Sequence, residues 1–260
     1  MSAIYEERKK QVLQHLSQNG KLSLQELQDI FQLSPATIRR MCASLEADGS
    51  VIRVRGGIRI ASSNTQTDYS FEHNSVEYAS EKIRIAEAVC RSIHDNQSVF
   101  LESGTTVYQC ALCLADRIQN HLCKNITVFT NSLNNLYVLA PVTQVSLIGG
   151  GYRSERQDFV GHLTERFLQN LYFDHAIIGV DGISQDSGLM VMDFNTAHID
   201  ERLLGQSSQV TVVAHSGKFD KRSLLSFATL DDVSRIVTDS RLTDEQFRAY
   251  SQHAAELIRA

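Results

Sequence analysis

Three short runs in this 260-residue chain carry groups suited to holding an oxyanion. The first, Glu102-Ser103-Gly104-Thr105-Thr106, lies between an apolar run ending at Leu101 and a stretch with helical spacing at Val107, Cys110, Ala111 and Leu114. Such a turn at a helix N-terminus offers free backbone N–H groups, the positive end of the helix dipole and three hydroxyls. The second, Thr130-Asn131-Ser132, follows Ile126–Phe129, and the third, Gly149-Gly150-Gly151-Tyr152-Arg153, follows Gln144–Ile148. Glycine, serine and threonine are also ordinary turn residues, so each run alone reads as structure. All three end apolar strand patterns, and in a parallel sheet such turns gather at the carboxyl edge, where ligands bind. Further on, Asp181-Gly182 ends another strand pattern and Lys218 follows Val210–Val213. Asp181 suits ligand hydroxyls or a plain Asp-Gly turn, and Lys218 suits an anion.

A second set of cations sits near the N-terminus. Ser34 is placed to cap a helix that has Pro35 at its first position and a buried stripe of Ile38, Met41, Cys42 and Leu45. The opposite side carries Ala36, Arg40 and Ala43, flanked by Thr37 on one side and Arg39 on the other. Small residues beside a long cation suit a helix that enters the major groove of DNA, about 12 Å wide. Arg40 is placed for a guanine edge, and Ser34, Thr37 and Arg39 for phosphates or thymine methyls. Asp48-Gly49 then turns the chain into Val51–Arg55 and Ile58–Ile60, read as a hairpin about Gly56-Gly57 with Arg53, Arg55 and Arg59 interleaved. Upstream, Val12, Leu13 and Leu16 share one helical face, and Ser23 caps a helix burying Leu24, Leu27 and Phe31. The pattern is a winged helix-turn-helix.

The elements behind these residues divide the chain into a winged helix-turn-helix at 1–60, a polar connection at 61–75 and a larger domain at 76–260. In the last part, Ser98–Leu101, Ile126–Phe129, Gln144–Ile148, Ala176–Val180, Val210–Val213 and Ile236–Thr238 alternate with helical patterns. That alternation predicts an α/β fold with a mostly parallel sheet. Residues 1–61 carry +3 and residues 62–260 carry −8, the distribution expected of a nucleic-acid reader joined to a domain that binds something else. Five cysteines in a chain without an export signal argue against a disulfide framework, and Cys110 and Cys113 fall on a buried helical face. No apolar run approaches the roughly 20 residues of a membrane span, so a cytoplasmic location is expected. No cofactor or metal is expected.

The run Ser34-Pro35-Ala36-Thr37-Ile38-Arg39-Arg40, with Leu45-Glu46, Gly49 and Ile52-Arg53-Val54-Arg55-Gly56-Gly57, resembles the DNA-binding domain of the DeoR family of bacterial repressors. Met41-Cys42 stands where the family usually has Asp-Leu. Ser103–Thr106, Thr130-Asn131, Gly149-Gly150, Asp181-Gly182 and Lys218-Phe219 resemble landmarks of the family's sensor domain. The resemblance implies a sensor fold similar to ribose-5-phosphate isomerase and a homodimer or homotetramer bound to a duplex operator. It also implies a non-enzymatic repressor of carbohydrate catabolism controlled by a phosphorylated sugar. Glu102 and His215 depart from the family's usual residues at places that border the ligand. A sugar-phosphate isomerase with an accessory helical domain is the alternative, with Glu102 or Asp181 as its base.

Overall fold

The computed structural model describes residues 8–9, 11–12, 15–16, 21–47, 51–54, 57–60 and 69–260. The chain falls into two compact units, Met1–Gln66 and Thr67–Ala260.

In the first unit, strand β1 (Lys21–Ser23) runs directly into helix α1 (Leu24–Phe31). Ser23 makes both possible: its Oγ accepts from the Glu26 amide at 3.1 Å while the Glu26 carboxylate accepts from the Ser23 amide at 2.7 Å. Gln32, at φ 50°, ends α1 in the left-handed region and turns the chain toward α2 (Pro35–Ala47). Ile38, Met41, Cys42 and Leu45 of α2 join Val12, Leu16, Leu22, Leu27, Val51 and Ile58 in one core, as the spacing predicts. Strands β2 (Val51–Val54) and β3 (Gly57–Ile60) pair antiparallel, and β1 adds to β3 in the order β1-β3-β2.

Two expectations are corrected here. Strand β1 has no periodicity of its own and escapes a sequence reading. Gly57 is not a turn residue; it lies in β3 opposite Val54 and Ser23, where a Cβ would stand 2.1 Å from the Leu22 carbonyl oxygen. Close approach of β1, and not a bend, requires glycine there. Asp48-Gly49, Arg55 and Gly56 lie outside the described residues.

The second unit begins before residue 76. Ser70 caps helix α3 (Phe71–Val76), Phe71 is buried edge-on against Tyr108, and its amide donates to the Glu155 carbonyl at 3.1 Å. The connection expected over 61–75 therefore ends earlier. The unit centres on a seven-stranded, wholly parallel sheet ordered β15-β14-β12-β9-β4-β5-β6. These strands are β4 (Ser98–Leu101), β5 (Thr127–Thr130), β6 (Gln144–Leu147), β9 (Phe173–Gly179), β12 (Ser207–Val213), β14 (Arg235–Thr238) and β15 (Leu257–Arg259). Alternation along each strand feeds two cores. Val99, Leu101, Ile177 and Val213 pack with helices α4 (Ala79–Cys90) and α5 (Thr105–Gln119). Phe100, Ala176, Ile178 and Val212 pack with helix α8 (Phe194–Gly205), which follows α6 (Leu133–Leu139) and α7 (His162–Leu168), and with Tyr250 of α9 (Asp244–Ser251).

Short antiparallel pieces complete the unit: the hairpin β7 (Gly151–Arg153)–β8 (Asp158–Val160), and a sheet of β10 (Gly182–Ser184), β11 (Gly188–Val191) and β13 (Leu225–Ala228). Starting at β4, the sheet grows through β5 and β6 on one side and through β9, β12, β14 and β15 on the other. The loops after β4 and β9 therefore diverge, which opens a crevice at their carboxyl ends.

Gly57→Ala should separate β1 from β3 and cost about 1–3 kcal/mol, as overpacking does. Hydrogen exchange should accelerate at the amides pairing β1 with β3 and stay unchanged in the seven-stranded sheet.

Candidate functional site

The crevice between the ends of β4 and β9 is a cavity of about 640 Å³. One wall is the turn Glu102–Thr106. Gly104, at φ 109°, is the N-cap of α5 and supplies no side-chain cap, so the first-turn N–H groups beside Thr105 and Thr106 have no side-chain acceptor at their cap. The opposite wall is Gly179–Asp181, with Ala214, His215, Gly217 and Lys218 beyond it.

Four cations, Lys82, Arg156, Lys218 and Lys221, line the cavity with the carboxyl groups of Glu77, Glu102 and Asp181. Lys218 Nζ lies 3.7 Å from Asp181 Oδ1 and Arg156 Nη2 lies 3.4 Å from Asp181 Oδ2, so one carboxylate serves two cations. Asp181 Oδ2 also accepts from the Met192 amide at 3.0 Å. The Arg156 guanidinium rests 4.2 Å over the Tyr69 ring. Lys82 is 2% exposed, and its ammonium donates to the Asn74 carbonyl. Burial, then the like charge of Lys218, pulls its pKa down to about 8. Lys218 is lowered for the same reason, burial first. His215 stacks on Tyr78 at 3.9 Å, and burial followed by the charges of Lys218 and Lys82 holds it down to about 3. The ring is neutral at neutral pH, and its Nδ1 is buried with no partner. Lys221 also lines the cavity.

Of the residues expected at this edge, Glu102, Ser103, Gly104, Thr105, Thr106, Asp181 and Lys218 come together. Thr130, Asn131, Ser132, Gly150 and Arg153 do not line the cavity. Thr130 Oγ1 donates to the Leu101 carbonyl at 2.6 Å, Asn131 Nδ2 donates to the Phe159 carbonyl at 3.1 Å, and Ser132 caps α6 by accepting from the Asn135 amide at 3.4 Å. All three are buried. A Cβ on Gly150 would meet Thr164 Oγ1 at 2.2 Å, so this glycine serves packing. Arg153 is spent on Asp158, at 2.8 Å and 2.6 Å, and on Asp193 at 2.9 Å. These residues support the wall from behind: Asn135, next to them, donates to the Glu102 carbonyl at 2.9 Å.

Tyr69, Tyr78, Lys82, Arg156 and Lys221 escape the sequence reading. Lys82 alone leaves a legible signal, because it stands three and four residues before Ile85 and Ala86 on the buried stripe of α4.

In the first unit, Ser34, Ala36, Arg39 and Arg40 are exposed along α2, with Thr37 half-buried. Ser34 Oγ accepts from the Thr37 amide at 3.3 Å. Arg53 pairs with Glu46 through Nε at 2.9 Å, and its Nη2 donates to the Arg39 carbonyl at 3.5 Å, tying β2 to α2. Arg55 lies outside the described residues. Met41 is buried, so where the family usually has an aspartate this chain has a core side chain.

Two family models match the chain: the DeoR-like helix-turn-helix domain over residues 8–64 and the DeoR C-terminal sensor domain over 77–240. Together these domains define a DNA-binding transcription regulator. The chain belongs to the DeoR family. It is 28% identical over 255 residues to the putative aga operon transcriptional repressor of Escherichia coli O157:H7, covering 97% of this chain and 93% of that protein. It is 26% identical to the glycerol-3-phosphate regulon repressor of Escherichia coli K12 over 95% of each chain, and 32% identical to the transcriptional repressor AccR of Agrobacterium fabrum C58 over 90% of each. These relatives are regulators, not enzymes. Among solved structures, ribose-5-phosphate isomerase A of Methanocaldococcus jannaschii aligns over 56% of each chain at 13% identity with a TM-score of 0.41, a likeness too low to carry an argument. Among the described residues no helix is long and apolar enough to cross a membrane, and no group of His, Cys, Asp or Glu could hold a metal ion.

The lysine resonances should include one, from Lys82, that titrates near pH 8. Lys218→Ala should move that midpoint upward, since it removes a like charge. An unchanged midpoint would mean that the two ammonium groups do not share the cavity.

Proposed function

We propose that this regulator represses a carbohydrate-catabolism operon and that a phosphorylated sugar, bound in the cavity between β4 and β9, controls its grip on the operator. The observation that carries the reading is the surplus of cations there: Lys82, Arg156, Lys218 and Lys221 converge with the uncapped turn at Gly104, while Asp181 and Glu77 answer only part of their charge. A phosphate, with close to two negative charges, meets backbone donors at the turn and ammonium groups across from it. Asp181 and His215 Nδ1 are then placed for the sugar's hydroxyls, and the faces of Tyr69 and Tyr78 for its carbon skeleton. The names of the aga and glycerol-3-phosphate relatives support the carbohydrate setting.

On the DNA side, Arg40 reads a base edge, with Ser34, Ala36, Thr37 and Arg39 lining the same face of α2. Arg53 and Arg55 contact phosphates from the wing. One such module covers few base pairs, so two copies of the chain bind paired half-sites. Control requires only that the ligand prefer one of two states of the protein, and a preference of about 1.4 kcal/mol changes operator affinity tenfold.

A thermal-shift screen of phosphorylated against free sugars tests the effector class. A true effector at 100 times its Kd should stabilise the protein by about 2.7 kcal/mol. Thr105→Ala and Lys218→Ala should leave operator binding in place and abolish the response to the effector. A response that survives in both variants, or that only unphosphorylated sugars evoke, would overturn the cavity assignment. Effector affinity should also fall as pH rises through about 8, where Lys82 loses the proton that a bound dianion needs. Arg40→Ala should cost about 1–3 kcal/mol per half-site on the operator and far less on random DNA. Arg53→Ala should weaken both DNAs alike and flatten the salt dependence.

A further inference from the structure

Ser103 has one hydroxyl proton and faces two carboxyl groups. Its Oγ lies 2.8 Å from Glu102 Oε1 and 2.7 Å from Asp158 Oδ2. A hydroxyl donates a single hydrogen bond, so both contacts are attractive only if one carboxyl brings a second proton. Asp158 is not the carrier. Arg153 holds it through Nε at 2.8 Å and Nη2 at 2.6 Å, and a guanidinium fork of that kind keeps a carboxylate ionised. Glu102 has no such clamp. Its Oε2 accepts from the Gly179 amide at 3.2 Å, and Arg156, whose charge reaches it, is already paired with Asp181 at 3.4 Å. Glu102 is 4% exposed, and beyond it Asp200 of α8 is fully buried with both carboxyl oxygens unpartnered. Two such acids close together cannot both ionise cheaply.

We propose that Glu102 stands in the cavity wall as a neutral carboxylic acid, donating from Oε1 to Ser103 Oγ, and that this neutrality is a specificity determinant. It admits a doubly charged phosphate beside the Ser103–Thr106 turn, where an ionised glutamate would repel one. The specificity half rests on the phosphate reading given above; the protonation half does not.

The groups that face Glu102 set the balance. Burial is the largest influence and pushes its carboxyl up to about 8, and the charge of Asp158 pushes the same way. Asp200 of α8 is a second buried acid, whose own pKa is raised first by burial and then by the charge of Glu102. Arg156 opposes them, and Arg153 acts mainly through Asp158. Tyr69 also faces Glu102, and burial raises its pKa further, so it adds no charge in the range where Glu102 titrates. The acid form therefore holds at neutral pH, the ionised form takes over in the alkaline range, and the cavity then turns against a dianion.

The full-length protein, labelled with 13C at the glutamate side-chain carboxyls, tests protonation directly by NMR. One resonance should titrate near pH 8 and be missing from Glu102→Gln. If every glutamate titrates in the ordinary range near about 4.3, the proposal is overturned whatever the protein binds. Calorimetry with inorganic phosphate tests the specificity role. It is run in a Lys82→Arg background, so that the charge at that position is fixed, with Glu102 intact or replaced by Gln. Between about pH 7.5 and about pH 9.5 the intact glutamate should lose roughly tenfold more phosphate affinity than Glu102→Gln, the effect of about one unit of coupling between carboxyl and ligand. An equal fall in both proteins would overturn the role of Glu102 and leave the phosphate site standing. Absence of phosphate binding at either pH would overturn the specificity role and the phosphate reading together, with the carboxyl titration still deciding the protonation.

Discussion

Strands β4 and β9 lie side by side and parallel, with Val99 against His175, Phe100 against Ala176 and Leu101 against Ile177. Every feature of the cavity depends on that pairing. The chain leaves β4 toward α5 and β5 on one side, and it leaves β9 toward β10–β11 and then α8 and β12 on the other. Two loops that part company cannot cover the space between them. The ladder runs to the rim, where the Glu102 amide donates to the Ile177 carbonyl at 3.0 Å and the Gly179 amide donates back to the Glu102 carboxyl. Because the turn at Gly104 starts α5, the same strand end that opens the crevice also points a helix N-terminus into it.

Charge is distributed against the grain of the domain. Residues 62–260 carry −8, yet four cations face one cavity. Burial works against Lys82 and Lys218, as their lowered pKa values record. Within the cavity only Asp181, paired with Lys218 and Arg156, and Glu77 answer the four cations; Asp158 and Asp193 are held by Arg153, and burial raises Asp200 well above the usual carboxylate range. An arrangement that keeps like charges close and withholds counter-charges is costly in the empty protein. On the reading proposed above, an anionic ligand would recover that cost on binding.

The sequence makes the strands legible because each is a run of β-branched or apolar residues. Ser98–Leu101 matches its strand end to end, and Ile126–Phe129 and Gln144–Ile148 lie within one residue of theirs. The strands β1, β7, β8, β10 and β15, of three residues each, are too brief for a period to show, and β11 and β13 lie outside the alternation of strand and helix. The cavity lining is legible where a strand end is also next to the switch in strand order, as at Ser103–Thr106 and Asp181. Thr130–Ser132, Gly150 and Arg153, expected at the same edge, do not line the cavity. Composition says only that a strand ends there, and it is silent about how many strands separate that end from the crevice. Tyr69 and Arg156 come from segments whose local pattern gives no reason to look toward residue 102, and only long-range pairing brings them in; the pattern of α4 marks Lys82 as buried but not what it faces.

The DNA-binding face shows the same dependence of a functional side chain on a distant strand. Arg39 and Arg40 are adjacent on α2, but Arg53, on β2, reaches back to the Arg39 carbonyl and to Glu46. Both partners of the Arg53–Glu46 pair are about half exposed, at 51% and 43%, so the pair is worth at most about 1 kcal/mol to stability. Its effect is geometric: it ties β2 to α2. A carboxylate at position 41 would sit in the core between α2 and its neighbours, where Met41 is buried. In this chain the carboxylate that pairs with an arginine beside Arg39 and Arg40 is Glu46, five residues further along α2, and that arginine, Arg53, belongs to β2.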